Sequence, residues 1–131
     1  MAKLMQKVFK QEKKAIITYA REDVNLELKE LKAFEIDGAK EKHVPVVKRE
    51  GNKVDVFVGE VAHPMQDVHF IEWISVETNK GFQVKYLNPE DKPEASFMLL
   101  EDEKLVCAYA YCNLHVPTIL CSLYYFFFSG H

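Results

Sequence analysis

The 131-residue sequence predicts an all-β protein built as an antiparallel β-sandwich. Three observations point there. From Val44 onward, apolar residues recur with a period of two over short runs. Turn signals at Gly51-Asn52, Asn79-Lys80-Gly81 and Glu101-Asp102-Glu103 separate those runs at regular spacing. No stretch sustains a helical period.

The elements follow in chain order. Val8 to Tyr19 reads as two short strands around a lysine-rich turn. Asp23 to Phe34 is ambiguous: Leu28, Leu31 and Phe34 suit a helix face, whereas Leu26 to Lys29 alternates like a strand. Asp37-Gly38 is a turn signal and a boundary. Val44 to Lys48 and Lys53 to Val58 form a hairpin, with Val54, Val56 and Val58 on one face. His69 to Thr78 is a longer strand. A strict alternation puts Ile71 and Trp73 on the His69 face and Phe70, Glu72 and Ile74 on the other. Phe82 to Leu87 completes the next hairpin, and Asn88 to Pro93 is a loop. Ala95 to Leu100 and Leu105 to Tyr111 follow, joined by the acidic turn.

Composition bounds the function. Hydrophobic residues make up 48% and charged residues 28%, as in a folded globular protein rather than a disordered one. A net charge of −3 gives no case for nucleic acid or an anionic membrane as partner. The charge is uneven: residues 1–53 hold 13 basic and 9 acidic side chains, whereas residues 54–131 hold 4 and 11. Met1 to Lys14 has five lysines and no apolar core, so it is not a signal peptide. No apolar run reaches the ~18 residues a membrane helix needs. The nearest, Ile119 to Phe128, is ten residues long and includes Ser122. Cys107, Cys112 and Cys121 are an odd, late set, not a secreted disulfide framework, so a cytoplasmic location is expected.

Chemistry concentrates in the histidines. His43, His63, His69 and His115 each sit beside structural punctuation, and Cys112-Asn113-Leu114-His115 has a Cys-x-x-His spacing that can place a thiolate and an imidazole on one metal. Singly, each His has an ordinary reading as a hydrogen-bonded strand-end residue, and Cys112 as a small buried hydrophobe. In a sandwich, however, loops at one end cluster, so ligands distant in sequence can meet. Pro45 and Pro64 stiffen two of these loops. Four imidazoles and one thiolate are one ligand too many for structural zinc, and calcium and magnesium want oxygen. Blue copper is weakened, without being excluded, because no Met follows Cys112. Iron suits imidazole, and one thiolate opposite an open position would tune it.

Four segments together resemble the superoxide reductases, the desulfoferrodoxin and neelaredoxin family. They are Glu41 to Val46 (EKHVPV), Val61 to Met65 (VAHPM), His69 to Ile74 (HFIEWI) and Tyr111 to His115 (YCNLH). Order, spacing and residue types agree over residues 37–115. The resemblance implies an immunoglobulin-like β-sandwich holding one mononuclear iron per chain. It implies His43, His63, His69 and His115 as equatorial ligands and Cys112 as the axial thiolate. Glu41 matches the carboxylate of the sixth position in the oxidised resting state, and Lys42 the cation beside it. The implied activity is one-electron reduction of superoxide to hydrogen peroxide, with an external donor such as a rubredoxin. A non-catalytic iron electron carrier or redox sensor on the same scaffold is the alternative. A metal-free interaction module would leave the His and Cys set unexplained.

The implied organisation has three parts. Residues 1–36 are a degenerate desulforedoxin-like segment without metal ligands, expected to serve in a homodimer. Gln11 and Lys14 fall where the family's first Cys-x-x-Cys pair would lie. Without that metal, this segment must rely on packing against the rest of the chain or a second subunit. Residues 37–117 are the iron-binding sandwich. Residues 118–131 are an atypical hydrophobic tail, and just before it Val116-Pro117 stands where the family has Gly after the Cys-x-x-His. An altered gene end is the preferred explanation for it, and a docking segment the other. Cys107 and Cys121 are expected to be structural or incidental, since Cys107 and Cys112 face opposite sides of a continuous strand.

Overall fold

The computed structural model describes residues 4–12, 14–31, 45–58, 64–67 and 69–113, and the backbone of 119–122. It is all-β; among the described residues there is no helix. Ten strands form three antiparallel sheets. The first contains β1 (Met5–Gln11), β2 (Lys14–Ala20) and β3 (Lys29–Leu31) in the order β2-β1-β3. The second contains β6 (Ile71–Thr78), β7 (Gly81–Tyr86), β9 (Leu105–Cys112) and β10 (Ile119–Ser122) in the order β10-β9-β6-β7. The third contains β4 (Pro45–Glu50), β5 (Lys53–Val58) and β8 (Glu94–Met98) in the order β4-β5-β8.

The second and third sheets make the sandwich. Val54, Val56 and Val58 point inward, as their period of two predicts, and meet Ile74, Val76 and Ala108 of the facing sheet. Gly51 takes φ +58° in the two-residue β4–β5 turn, a conformation that a side chain disfavours. One open edge of the sandwich is sealed by β7. Gln83 Nε2 donates to Met98 O at 3.0 Å, and Lys85 Nζ lies 5.4 Å from the centre of the Phe97 ring.

The N-terminal sheet forms a third layer on the outer face of the second. Val8 and Leu31 pack with Trp73 and Tyr111, and Ala15, Ile17, Val84 and Tyr109 border them. A loop folds over the opposite face of β1, held where Lys7 Nζ donates to Asp23 Oδ1 and Val24 O. Gln11 and Lys14 are the closing pair of the β1–β2 hairpin, with Glu12 in the turn at φ +55°. Asp23 to Phe34, ambiguous in sequence, yields only the short β3, and its described remainder is irregular.

One sequence expectation needs correction. Ile71 and Trp73 do not share a face. The β6–β9 register slips between them, so Ile71 joins the sandwich core and Trp73 joins the outer cluster. A β-bulge inserts one residue and reverses the alternation there. Within the tail, Ile119–Ser122 forms β10, pairing with Tyr111 to Ala108 of β9. The Asp37-Gly38 boundary lies outside the described residues.

Candidate metal centre

One end of the sandwich gathers the chemistry. β9 finishes at Cys112, directly opposite Ile71, where β6 begins. Cys112 is 2% exposed and packs in the sandwich core as a thiol rather than half of a disulfide. Cys107, on the other face of β9, is disulfide-bonded. His69 lies two residues before β6, half-buried, with its Nε2 fully enclosed.

The chain around His69 is tightly fixed. His69 N–H donates to Gln66 O at 2.9 Å, and Gln66 N–H returns a bond to His69 O at 2.8 Å. Phe70 N–H donates to Asn113 Oδ1 at 2.9 Å, and Asn113 N–H to Phe70 O at 3.1 Å. Ile71 N–H donates to Met65 Sδ at 3.3 Å. The loop after β7 ties the two sheets together at this end. Leu87 N–H donates to Glu72 O, Glu90 N–H to Met65 O, and Val58 N–H to Pro93 O.

Tyr111, the residue before Cys112, is buried on the opposite face and stacks on Trp73. Burial, reinforced by the charges of Glu72 and Cys112, pushes its hydroxyl pKa up to about 12. Glu72, at the bulge, is likewise raised by burial.

Of the residues singled out in sequence, His69 and Cys112 are described, and the fold brings their segments together on paired strands. Glu41, Lys42, His43, His63 and His115 lie outside the described residues, although Pro45, Pro64 and Asn113 mark the ends of the described chain next to them. Among the described residues, no group of three or more His, Cys, Asp or Glu is placed to hold a metal. The two described donors do fit one. An enclosed imidazole nitrogen and a buried thiol suit iron, copper or zinc and are wrong for calcium or magnesium. Sequence reasoning passed over Asn113 and Met65. Their signal was position alone, next to one proposed ligand and two residues from another.

Fold and donors define a β-sandwich with a buried thiol at the end of β9 and an enclosed imidazole nitrogen just before β6. The desulfoferrodoxin family model matches residues 35–116, and the chain belongs to that family. A desulfoferrodoxin homolog of Archaeoglobus fulgidus is 54% identical over 79 residues, covering 60% of this chain and 62% of that protein. The chain thus spans about three fifths of that relative's length. The desulfoferrodoxin of Nitratidesulfovibrio vulgaris is 48% identical over 88 residues, covering 67% and 68% of the two chains. Among solved structures, the superoxide reductase from Treponema pallidum aligns with TM-score 0.67 and 38% identity over 73% of this chain and 78% of that one. The superoxide reductase from Giardia intestinalis aligns with TM-score 0.50 and 36% identity, covering 63% of this chain and 98% of that one.

Proposed function

We propose that the protein is a superoxide reductase with one non-haem iron, which His43, His63, His69 and His115 would hold together with the Cys112 thiolate. The observation that carries this reading is the pairing of the Cys112 end of β9 with the start of β6 beside His69, inside the segment that matches the family. Iron bound there supplies the single electron that, with two protons, converts superoxide to hydrogen peroxide without releasing dioxygen.

The chain's own residues do the rest. Lys42, next to ligand His43, draws the small anion in and balances the negative charge that develops on peroxide. Glu41 would supply a carboxylate ligand to the iron in its oxidised state. Burial of Cys112 keeps water from the thiolate side. An external one-electron carrier of the rubredoxin type restores the reduced state.

Residues 37–117 carry this chemistry, and residues 1–36 are a unit that keeps a small β-sheet without metal ligands. We assign a homodimer on the same family grounds, and a cytoplasmic setting because three late cysteines are not a secreted disulfide framework. Pulse radiolysis of the reduced protein tests the reading. Superoxide is expected to oxidise the bound iron rapidly in a second-order step. Iron-loaded protein that superoxide leaves unoxidised would instead be an electron carrier or redox sensor, and protein holding zinc alone would defeat both.

A further inference from the structure

Asn113 stands between two residues assigned as ligands, yet its side-chain oxygen is already engaged by a backbone N–H. Its hydrogen bonds give it another task. The β6–β9 register ends at the Ile71–Cys112 pair, and just past it Phe70 and Asn113 face each other through two hydrogen bonds. In an ordinary antiparallel rung, Phe70 N–H would donate to the main-chain carbonyl of Asn113. Here the side-chain Oδ1 takes that place at 2.9 Å, while Asn113 N–H still donates to Phe70 O at 3.1 Å. The side chain thus stands in for the backbone and completes the rung. Asn suits this use, because its short amide commonly mimics a peptide group.

The consequence falls on His69. Three successive N–H groups, at His69, Phe70 and Ile71, donate to Gln66 O, Asn113 Oδ1 and Met65 Sδ. Of these acceptors, only Asn113 comes from the chain that directly follows Cys112. Together with the Asn113 N–H to Phe70 O bond, it links the segment bearing the imidazole to the segment bearing the thiolate, just beyond the bulge between Ile71 and Trp73.

We propose that Asn113 is a positioning residue that fixes His69 relative to Cys112 by replacing a main-chain ladder acceptor with its side-chain oxygen. This rests on the metal reading above. The test compares full-length wild type with Asn113→Leu, which keeps the size and removes the acceptor, and Asn113→Asp, which keeps an accepting oxygen. Two quantities are read: Co(II) affinity, by chelator competition and the thiolate-to-cobalt absorption, and hydrogen exchange at Phe70 under saturating Co(II). Asn113→Leu should speed Phe70 exchange and weaken Co(II) binding, each by about tenfold or more. Asn113→Asp should stay within about threefold of wild type in both, as expected where only the accepting oxygen matters.

Unchanged exchange in Asn113→Leu would overturn the ladder substitution. Faster exchange with unchanged Co(II) affinity would overturn the positioning role. If Asn113→Leu fails to fold, Asn113→Ser, which shortens the acceptor arm without adding apolar bulk, makes the same comparison. Wild type that takes up no Co(II) would overturn the metal reading and the positioning role together, a result distinct from any that the variants give.

Discussion

The Trp73 indole stacks on the Tyr111 ring, with centroids 5.5 Å apart and planes 12° from parallel. The two residues sit in register on β6 and β9, one position inside the bulge that leads to Cys112. Such a pair contributes about 0.5–1.5 kcal/mol beyond the area it buries. Val8 and Leu31 close over it, so the N-terminal sheet and the strands bearing Cys112 share one packed cluster.

A charge placed in that cluster should be costly. Val8 is 3% exposed, and Val8→Asp buries a carboxylate against aromatic rings. The expected loss is about 2–4 kcal/mol of unfolding free energy. Trp73 is the chain's single tryptophan, so its fluorescence reads the cluster directly. Urea unfolding should show a lower midpoint and emission already shifted to the red before the transition.

Tyr111 makes stability fall at high pH. Its hydroxyl titrates near 10 in the unfolded chain and is pushed up to about 12 in the folded one. The folded state therefore holds the proton longer. Its contribution is complete below pH 10 and is lost as pH rises through 12. At roughly 1.4 kcal/mol per unit, about 2–3 kcal/mol disappears across that window. Tyr111→Phe should flatten this part of the stability profile, measured by urea titrations at successive pH values.

The β1–β2 turn carries removable strain. Glu12 holds φ +55°, a region that Asn tolerates and Glu does not favour. Glu12→Asn should raise stability by about 0.5–1 kcal/mol, seen as a higher thermal midpoint. A neutral or lowered midpoint would show that the turn is not a source of strain.

Cys112→Ser replaces a soft thiolate with a hard hydroxyl. Under the proposed ligation, the oxidised iron protein should lose its thiolate-to-iron visible absorption. Survival of that colour would remove Cys112 from the axial position.

Lys42→Ala should slow the encounter with superoxide and leave iron content unchanged. The wild-type rate should fall as salt rises, and the variant's rate should depend on salt less. Equal rates with equal salt dependence would end the steering role.

Much of the fold was legible because the sandwich strands are short and regular. Lys53 to Val58 shows its inward valines by period alone, and every one of them is buried. The orientation of Trp73 was not legible, since a bulge reverses the alternation and nothing local in His69 to Thr78 announces it. β10 was hidden within an apolar run, Ile119 to Phe128, that carries no period-two alternation. The proposed ligands were legible as residue types at motif spacing. Asn113 and Met65 were not, because their roles depend on which backbone groups fold back to them.

The third layer also bears on how such a chain can be shortened. Residues 35–116, the segment shared with the family, pack against the first three strands through the Val8, Leu31, Trp73 and Tyr111 cluster. Trimmed at residue 35, the chain would expose Trp73, Val84, Tyr109 and Tyr111 as one continuous greasy surface. A lineage that discarded the first three strands would have to repaint that surface with polar side chains, or recruit another molecule to cover it.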